Sequence, residues 1–314
     1  VNGKIPVGYR IGGTAIVCSA LISSGAAEQK IAPAVARGTR MILKELQDPL
    51  MKPQRSNRYD VRIWGHIYAL DFFCRLQQMD GFDELKTETK PHIQELAEAV
   101  IYQEIKSGGW NYANQMQHCC FATGPAVQAL LLAKKQDIQI PDDVLHRSAA
   151  ALSGSHSASG VVSYSGGKNN RDTLPGSIAR APVTVATLML LGRGSSADLQ
   201  SSIEAFHEHW KELEKRRQKT GTHAPPHGIA PYYFFYGHRY LAQAIQLLPA
   251  EKQTAQFERF EEVLLRTKQA DHTWNDRVFE QSKAFGTAMA VLALSRNRTV
   301  LPEKHELPQT TDVD

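Results

Sequence analysis

The chain reads as an all-α protein in which about six buried helices and five to six amphipathic ones close into a double ring. Three observations predict this. Strongly apolar segments recur at intervals of about fifty to sixty residues, each is followed by a segment apolar on one face only, and turns rich in glycine and aromatic residues join the pairs. Such a series stacks into an open solenoid or a ring, and closure is favoured because an open array leaves its end units uncapped.

The series opens at 15–24, small and branched apolar residues preceded by Gly12-Gly13-Thr14 and stopped by Gly25. Its partner, 34–46, carries Arg37, Arg40, Lys44 and Glu45 on a wet side. A proline-containing loop leads to 60–76, with Trp64, His66, Tyr68, Phe72 and Phe73, and then to an amphipathic 91–105. The third unit is the clearest: Gly108-Gly109-Trp110-Asn111-Tyr112 turns the chain, His118-Cys119-Cys120 follows, and 119–134 is apolar on nearly every side. Its partner begins near Pro141-Asp142 and ends at Leu152. Further pairs follow at 180–191 with 198–215 and at 232–248 with 254–268, and a sixth buried segment, 285–294, closes the series. Aligned on a small-then-aliphatic pair, the buried segments match at Ala20-Leu21, Ala69-Leu70, Ala129-Leu130, Thr187-Leu188, Ala244-Ile245 and Ala293-Leu294. Five partners stand beside six buried segments. The sixth is expected before Val1, with an upstream helix or leader removed.

The composition sets wide limits. With 314 residues, 42% hydrophobic and 22% charged, the chain can bury one large core. No linker-like stretch divides it, so 1–296 reads as a single domain and the polar, proline-containing 297–314 as a loose tail. The net charge of +4 is mild, and the cluster Lys211, Lys215, Arg216, Arg217 and Lys219 is interleaved with Glu212 and Glu214. That pattern describes a solvated helix face, and no nucleic-acid partner is expected. No run of about eighteen uncharged apolar residues exists, so no membrane span is expected and the chain reads as soluble. Cys18, Cys74, Cys119 and Cys120 show no CxxC spacing and fall in apolar segments, which reads as buried free thiols. Compartment and oligomeric state are left open.

At Gln103, Gly108 and Trp110, and again at Gln269 and Trp274, the sequence resembles the glutamine and glycine-x-tryptophan turn of the prenyltransferase/squalene-cyclase (terpenoid cyclase) repeat family. Gly13-Thr14-Ala15, Thr123-Gly124 and Gly286-Thr287-Ala288 resemble the helix that follows that turn. The resemblance implies an α/α toroid in which Trp110 and Trp274 are scaffold, so function belongs to the mouth and cavity of the ring. The Asp-x-Asp-Asp acid of protonating terpene cyclases is missing, as is the Cys-Gly-Glu-Gln thioester string. Asp60 with His118 and Cys119-Cys120 offers a zinc alternative of the prenyltransferase type, although the spacing of that family is absent. Otherwise no cofactor is expected. Toroids also include polysaccharide lyases and glycosidases.

In a closed toroid the N-terminal ends of the buried helices surround one mouth. Residues read there as catalytic candidates are His118, His238, Tyr236 and Asp60, able to move a proton. Candidate ligand contacts are Arg62, Trp64, His66, Tyr112, Arg180, His227 and Tyr232. Asn111, Tyr164, His223, Tyr233, Arg239, Trp274 and Asp276 fall at corresponding ends, and Asp71 is an acid within a buried segment. An aromatic-lined cavity with His and Arg at its rim suits a terpenoid or, better, an oligosaccharide. Plain packing of the same side chains, with the protein a non-catalytic repeat domain binding a protein or polymer, is the alternative.

Overall fold

The computed structural model describes residues 5–55, 58–113, 116–166, 172–296 and 298–308. Six helices form the inner ring: α1 (Val7–Ser23), α3 (Arg62–Gln77), α5 (Cys120–Lys134), α8 (Ala181–Leu190), α10 (Tyr233–Gln246) and α12 (Lys283–Leu294). Each packs on the next, and α12 packs on α1, so the ring is closed. The outer layer is α2 (Glu28–Leu46), α4 (Asp83–Tyr102), α6 (Asp142–Ser155), α9 (Ser196–Arg216) and α11 (Ala250–Leu265), with a four-residue α7 (Leu174–Ser177) ahead of α8.

Burial separates the two layers. Helix α5 buries fourteen of its fifteen residues, whereas α2 buries only Ile31, Val35, Thr39 and Ile42, one stripe at helical spacing. The outer helices α4, α6 and α9 each touch two inner helices and so wedge between staves of the barrel.

The repeat turn is the joint between layers. Trp110 donates its indole N–H to the Val100 carbonyl at 2.7 Å and its backbone N–H to Thr123 Oγ1 at 3.0 Å. Trp274 repeats both contacts, to Leu264 at 3.3 Å and to Thr287 at 3.0 Å. Gln103 donates to the Ala99 carbonyl and to His66, so the glutamine ties its own helix to the preceding inner one.

Three element boundaries differ from expectation. Helix α1 starts at Val7, well before 15, and Gly12-Gly13 lies inside it. The glycines there serve close packing: a Cβ on Gly8 would lie 2.3 Å from the Val61 carbonyl oxygen, and one on Gly12 3.0 Å from that of Trp64. Helices α2 and α4 start before Pro33 and Pro91, which fall inside them on exposed positions. Water can satisfy the carbonyls these prolines leave unbonded.

The tail is a further correction. Residues 298–308 pass the C-terminal ends of α1, α3, α5 and α8 in turn: Arg298 reaches the Ser24 carbonyl, Arg75 donates to that of Val300 at 2.5 Å, and Lys135 pairs with Glu303 at 2.9 Å. The His305 amide then donates to the Leu190 carbonyl at 2.7 Å, and Leu307 is buried. These backbone and apolar contacts give the segment a fixed place across that end of the barrel. Asn297 and 309–314 lie outside the described residues.

Between α1 and α12 the outer face is covered by no helix among the described residues. A groove of about 410 Å³ runs there, lined by Val17, Ala20, Leu21, Ala288 and Val291 among others. No helix among the described residues is long and apolar enough to cross a membrane.

Candidate functional site

With the tail across one end, the N-terminal ends of the inner helices define the other, and every unit sends side chains to it. Tyr9 comes from α1; Tyr59 and Trp64 precede and open α3; Tyr112 stands before α5 and Tyr164 before α8. His223 and Tyr232 lie before α10, and Arg277 before α12. They form a continuous arc from Tyr9 to Arg277. Tyr9 and Tyr59 share a hydrogen bond between hydroxyls, Tyr59 meets Tyr112 edge-on at 5.8 Å, and Tyr112 hydrogen-bonds Tyr164 through its hydroxyl. Tyr164 meets His223 at 5.3 Å, His223 meets Tyr232 at 6.4 Å, and the Arg277 guanidinium lies 5.1 Å from the Tyr232 ring.

A second tier lies beneath. Trp64 packs on Tyr112 at 5.3 Å and stacks on Tyr68 at 6.0 Å, and Phe121 stacks on Tyr233 at 4.4 Å. Tyr236 donates its hydroxyl to the Phe121 carbonyl at 3.0 Å. Deeper still, Arg75 binds Asp71 through both carboxylate oxygens, at 2.8 and 2.9 Å, and Arg239 approaches Asp71 at 3.8 Å from α10, across the barrel. The axis is therefore bridged by polar side chains within an aromatic sleeve. Burial raises the phenols of Tyr9, Tyr112, Tyr164 and Tyr232 above their ordinary value, so they stay protonated donors at neutral pH.

Of the residues singled out in the sequence, Trp64, Tyr112 and Tyr232 belong to this mouth, and Tyr236 lies under it. Asp60 and Arg62 are there too, but paired with each other at 2.8 Å, and Asp60 also accepts from the Arg62 amide. Arg180 is buried and spends its donors on the Val162 and Gly176 carbonyls and on Asp172, so it fixes the loop that carries Tyr164. His227 accepts or donates at Thr173 Oγ1, 3.0 Å away, beside α7.

His238, His66 and His118 go elsewhere. His238 faces the outer layer: Trp210 donates to its Nε2 at 2.8 Å, so its Nδ1–H donates to the Phe234 carbonyl at 2.7 Å. Both nitrogens are consumed, and burial lowers its pKa to about 3. His66 accepts from Gln103 at Nδ1 and donates from Nε2 to the Met51 carbonyl at 3.0 Å; burial lowers it to about 4. His118 bonds Ser155 Oγ at 2.6 Å, and Ser155 in turn donates to the Gly166 carbonyl. These three rings are struts between layers, and the structure does not bring His118 and His238 together as a proton-transfer pair.

The zinc alternative finds no ligand set: among the described residues no three His, Cys, Asp or Glu side chains could hold a metal ion. Asp60 is taken by Arg62, and burial pushes the Cys119 thiol up to about 12.

Tyr9, Tyr59 and Arg277 were missing from the candidates. The available signal was positional: an aromatic or basic residue stands shortly before or just inside every inner segment.

No protein-family model matches the sequence, and no curated protein does. Solved structures do resemble the fold. The Lin0763 protein from Listeria innocua is similar with a TM-score of 0.54 at 10% identity, over 91% of this chain and 85% of that one. Hormoconis resinae glucoamylase is similar with a TM-score of 0.53 at 11% identity, over 94% of this chain and 68% of that one. At such identities the likeness establishes the α/α toroid and does not reach the terpenoid-cyclase branch that the repeat turn resembles.

Proposed function

We propose that this toroid binds a saccharide at its aromatic mouth. The observation that carries the reading is the continuous arc of Tyr9, Tyr59, Tyr112, Tyr164, His223, Tyr232 and Arg277 around the mouth. Aromatic faces pack on the C–H faces of sugar rings, and phenol hydroxyls exchange hydrogen bonds with sugar hydroxyls. A terpenoid would use the rings alone and leave the Arg277 guanidinium desolvated without an anionic or polar partner, which costs free energy. The fold shared with a glucoamylase agrees with a carbohydrate ligand.

Binding, not glycoside hydrolysis, is the step these residues support. Hydrolysis uses two carboxyl groups flanking the scissile bond, and at this mouth Asp60 and Asp172 are held by Arg62 and Arg180 at 2.8 Å each. The test is calorimetric titration with a panel of neutral and acidic oligosaccharides. Trp64→Ala and Tyr112→Ala are expected to weaken binding by about tenfold each through lost stacking area. Absence of binding by every member at millimolar concentration, or an affinity unmoved by both substitutions, overturns the reading.

A further inference from the structure

We infer that the saccharide carries an oxyanion, and that Arg277 is the side chain that reads it. The inference rests on the saccharide reading above and adds the class of sugar. Of the arginines at the mouth, Arg62 and Arg180 are fully engaged. Arg62 is bound to Asp60 and to the Lys52 carbonyl. Arg180 is bound to two carbonyls and to Asp172.

Arg277 is held differently. Its guanidinium lies 5.1 Å from the ring of Tyr232, 5.7 Å from that of Phe279 and 5.8 Å from that of Phe285. Among the described residues none of its side-chain N–H groups makes a hydrogen bond, and its Nε is buried without a partner. The nearest carboxyl, Asp276, faces Nε at 3.7 Å, too far for a hydrogen bond, and is completely buried. Lys283 and Glu280, the next charges along the turn, are paired at 2.9 Å. Aromatic contacts thus position the cation beside Tyr232 of the mouth, its terminal N–H groups make no hydrogen bond among the described residues, and the side chain is 33% exposed.

These N–H groups have a defined complement. A planar guanidinium with free N–H groups matches an oxyanion in two parallel, charge-assisted hydrogen bonds. A neutral sugar hydroxyl offers one acceptor and no charge. The uronic-acid carboxylate and the sugar sulfate share the required chemistry, and the experiment separates them.

The test uses the full chain and titrates trigalacturonate, its methyl ester, and a sulfated oligosaccharide. Trigalacturonate is expected to bind about tenfold tighter than the ester, the worth of a charged hydrogen-bond pair. Arg277→Gln should bring the acid and the ester to equal affinity, and Arg277→Lys should restore only part of the preference. A sulfated ligand that also outbinds the ester assigns the site to oxyanions in general; one that does not restricts it to carboxylates. Equal affinity of acid and ester for the unsubstituted protein overturns the inference and leaves the saccharide reading standing, and needs no variant to fold. Failure of all three ligands, together with the wider panel, takes both down.

Discussion

Gly108 and His272 occupy the same place in two copies of the repeat turn, two residues before Trp110 and Trp274, and both are left-handed, with φ of 92° and 64°. Only the first is a glycine. A Cβ at Gly108 would lie 2.3 Å from the Arg147 carbonyl oxygen as well. Gly108→Ala is therefore expected to cost about 2 kcal/mol or more, and His272→Gly to add up to about 1 kcal/mol by relieving a left-handed side-chain residue. Urea unfolding of the two variants gives both signs; a neutral Gly108→Ala would refute the packing argument.

The threonine of the joint should show the difference between a covered and an uncovered repeat. Thr123 is fully buried under Trp110, and Thr287 only partly so under Trp274. Thr123→Val strands a buried N–H and is expected to cost about 1–3 kcal/mol, with Thr287→Val costing less because water can replace the hydroxyl. Equal losses would show that burial of the joint does not set its worth.

Stability should depend on pH in two opposed ways. Burial lowers His66 and His207 to about 4 and His238 to about 3, so below pH 6.5 the unfolded chain binds protons that the folded chain refuses. Their contribution is complete above that pH and is lost as the solution is acidified toward 4. Burial raises Asp276 to about 7, so its ionisation costs stability increasingly between pH 4 and 7. Asp276→Asn should raise the urea midpoint at pH 7 and above, and the gain should shrink to nothing near pH 4. A gain of constant size across that range would mean that ionisation is not its cause.

All four cysteines are free and buried, and burial raises every thiol. A thiol reagent that needs thiolate should label none in the native protein at pH 8 and four after unfolding. Rapid labelling of the native state would place at least one thiol at an open surface.

The ring was legible from recurrence because a buried helix beside an amphipathic one leaves a mark every fifty to sixty residues. The direction of individual side chains was not. Helices such as α5 are apolar on all sides, so their pattern does not distinguish the axis from the outer layer. His238 sits near the N-terminal end of its helix, at the height of a mouth residue, but points outward to Trp210. Tyr9 was missed because Gly12-Gly13 looks like a helix start, and the tail looked loose because its anchors are mostly backbone carbonyls and distant charges. Backbone partners leave no pattern in sequence.

The uncovered seam bears on how the molecule breathes. Three of the six contacts between inner helices are backed by an outer helix that packs on both partners, whereas α1 and α12 meet with an open groove behind them. Opening is easiest where fewest apolar contacts must be broken. Amide exchange should be faster in α1 and α12 than in α5, and a ring that parts there first becomes an arc hinged on its remaining staves. Tyr9 belongs to α1 and Arg277 stands before α12, on opposite sides of that seam. The same motion would move the two ends of the aromatic arc, Tyr9 and Arg277, apart, so the shape of the mouth is tied to the least backed seam of the barrel.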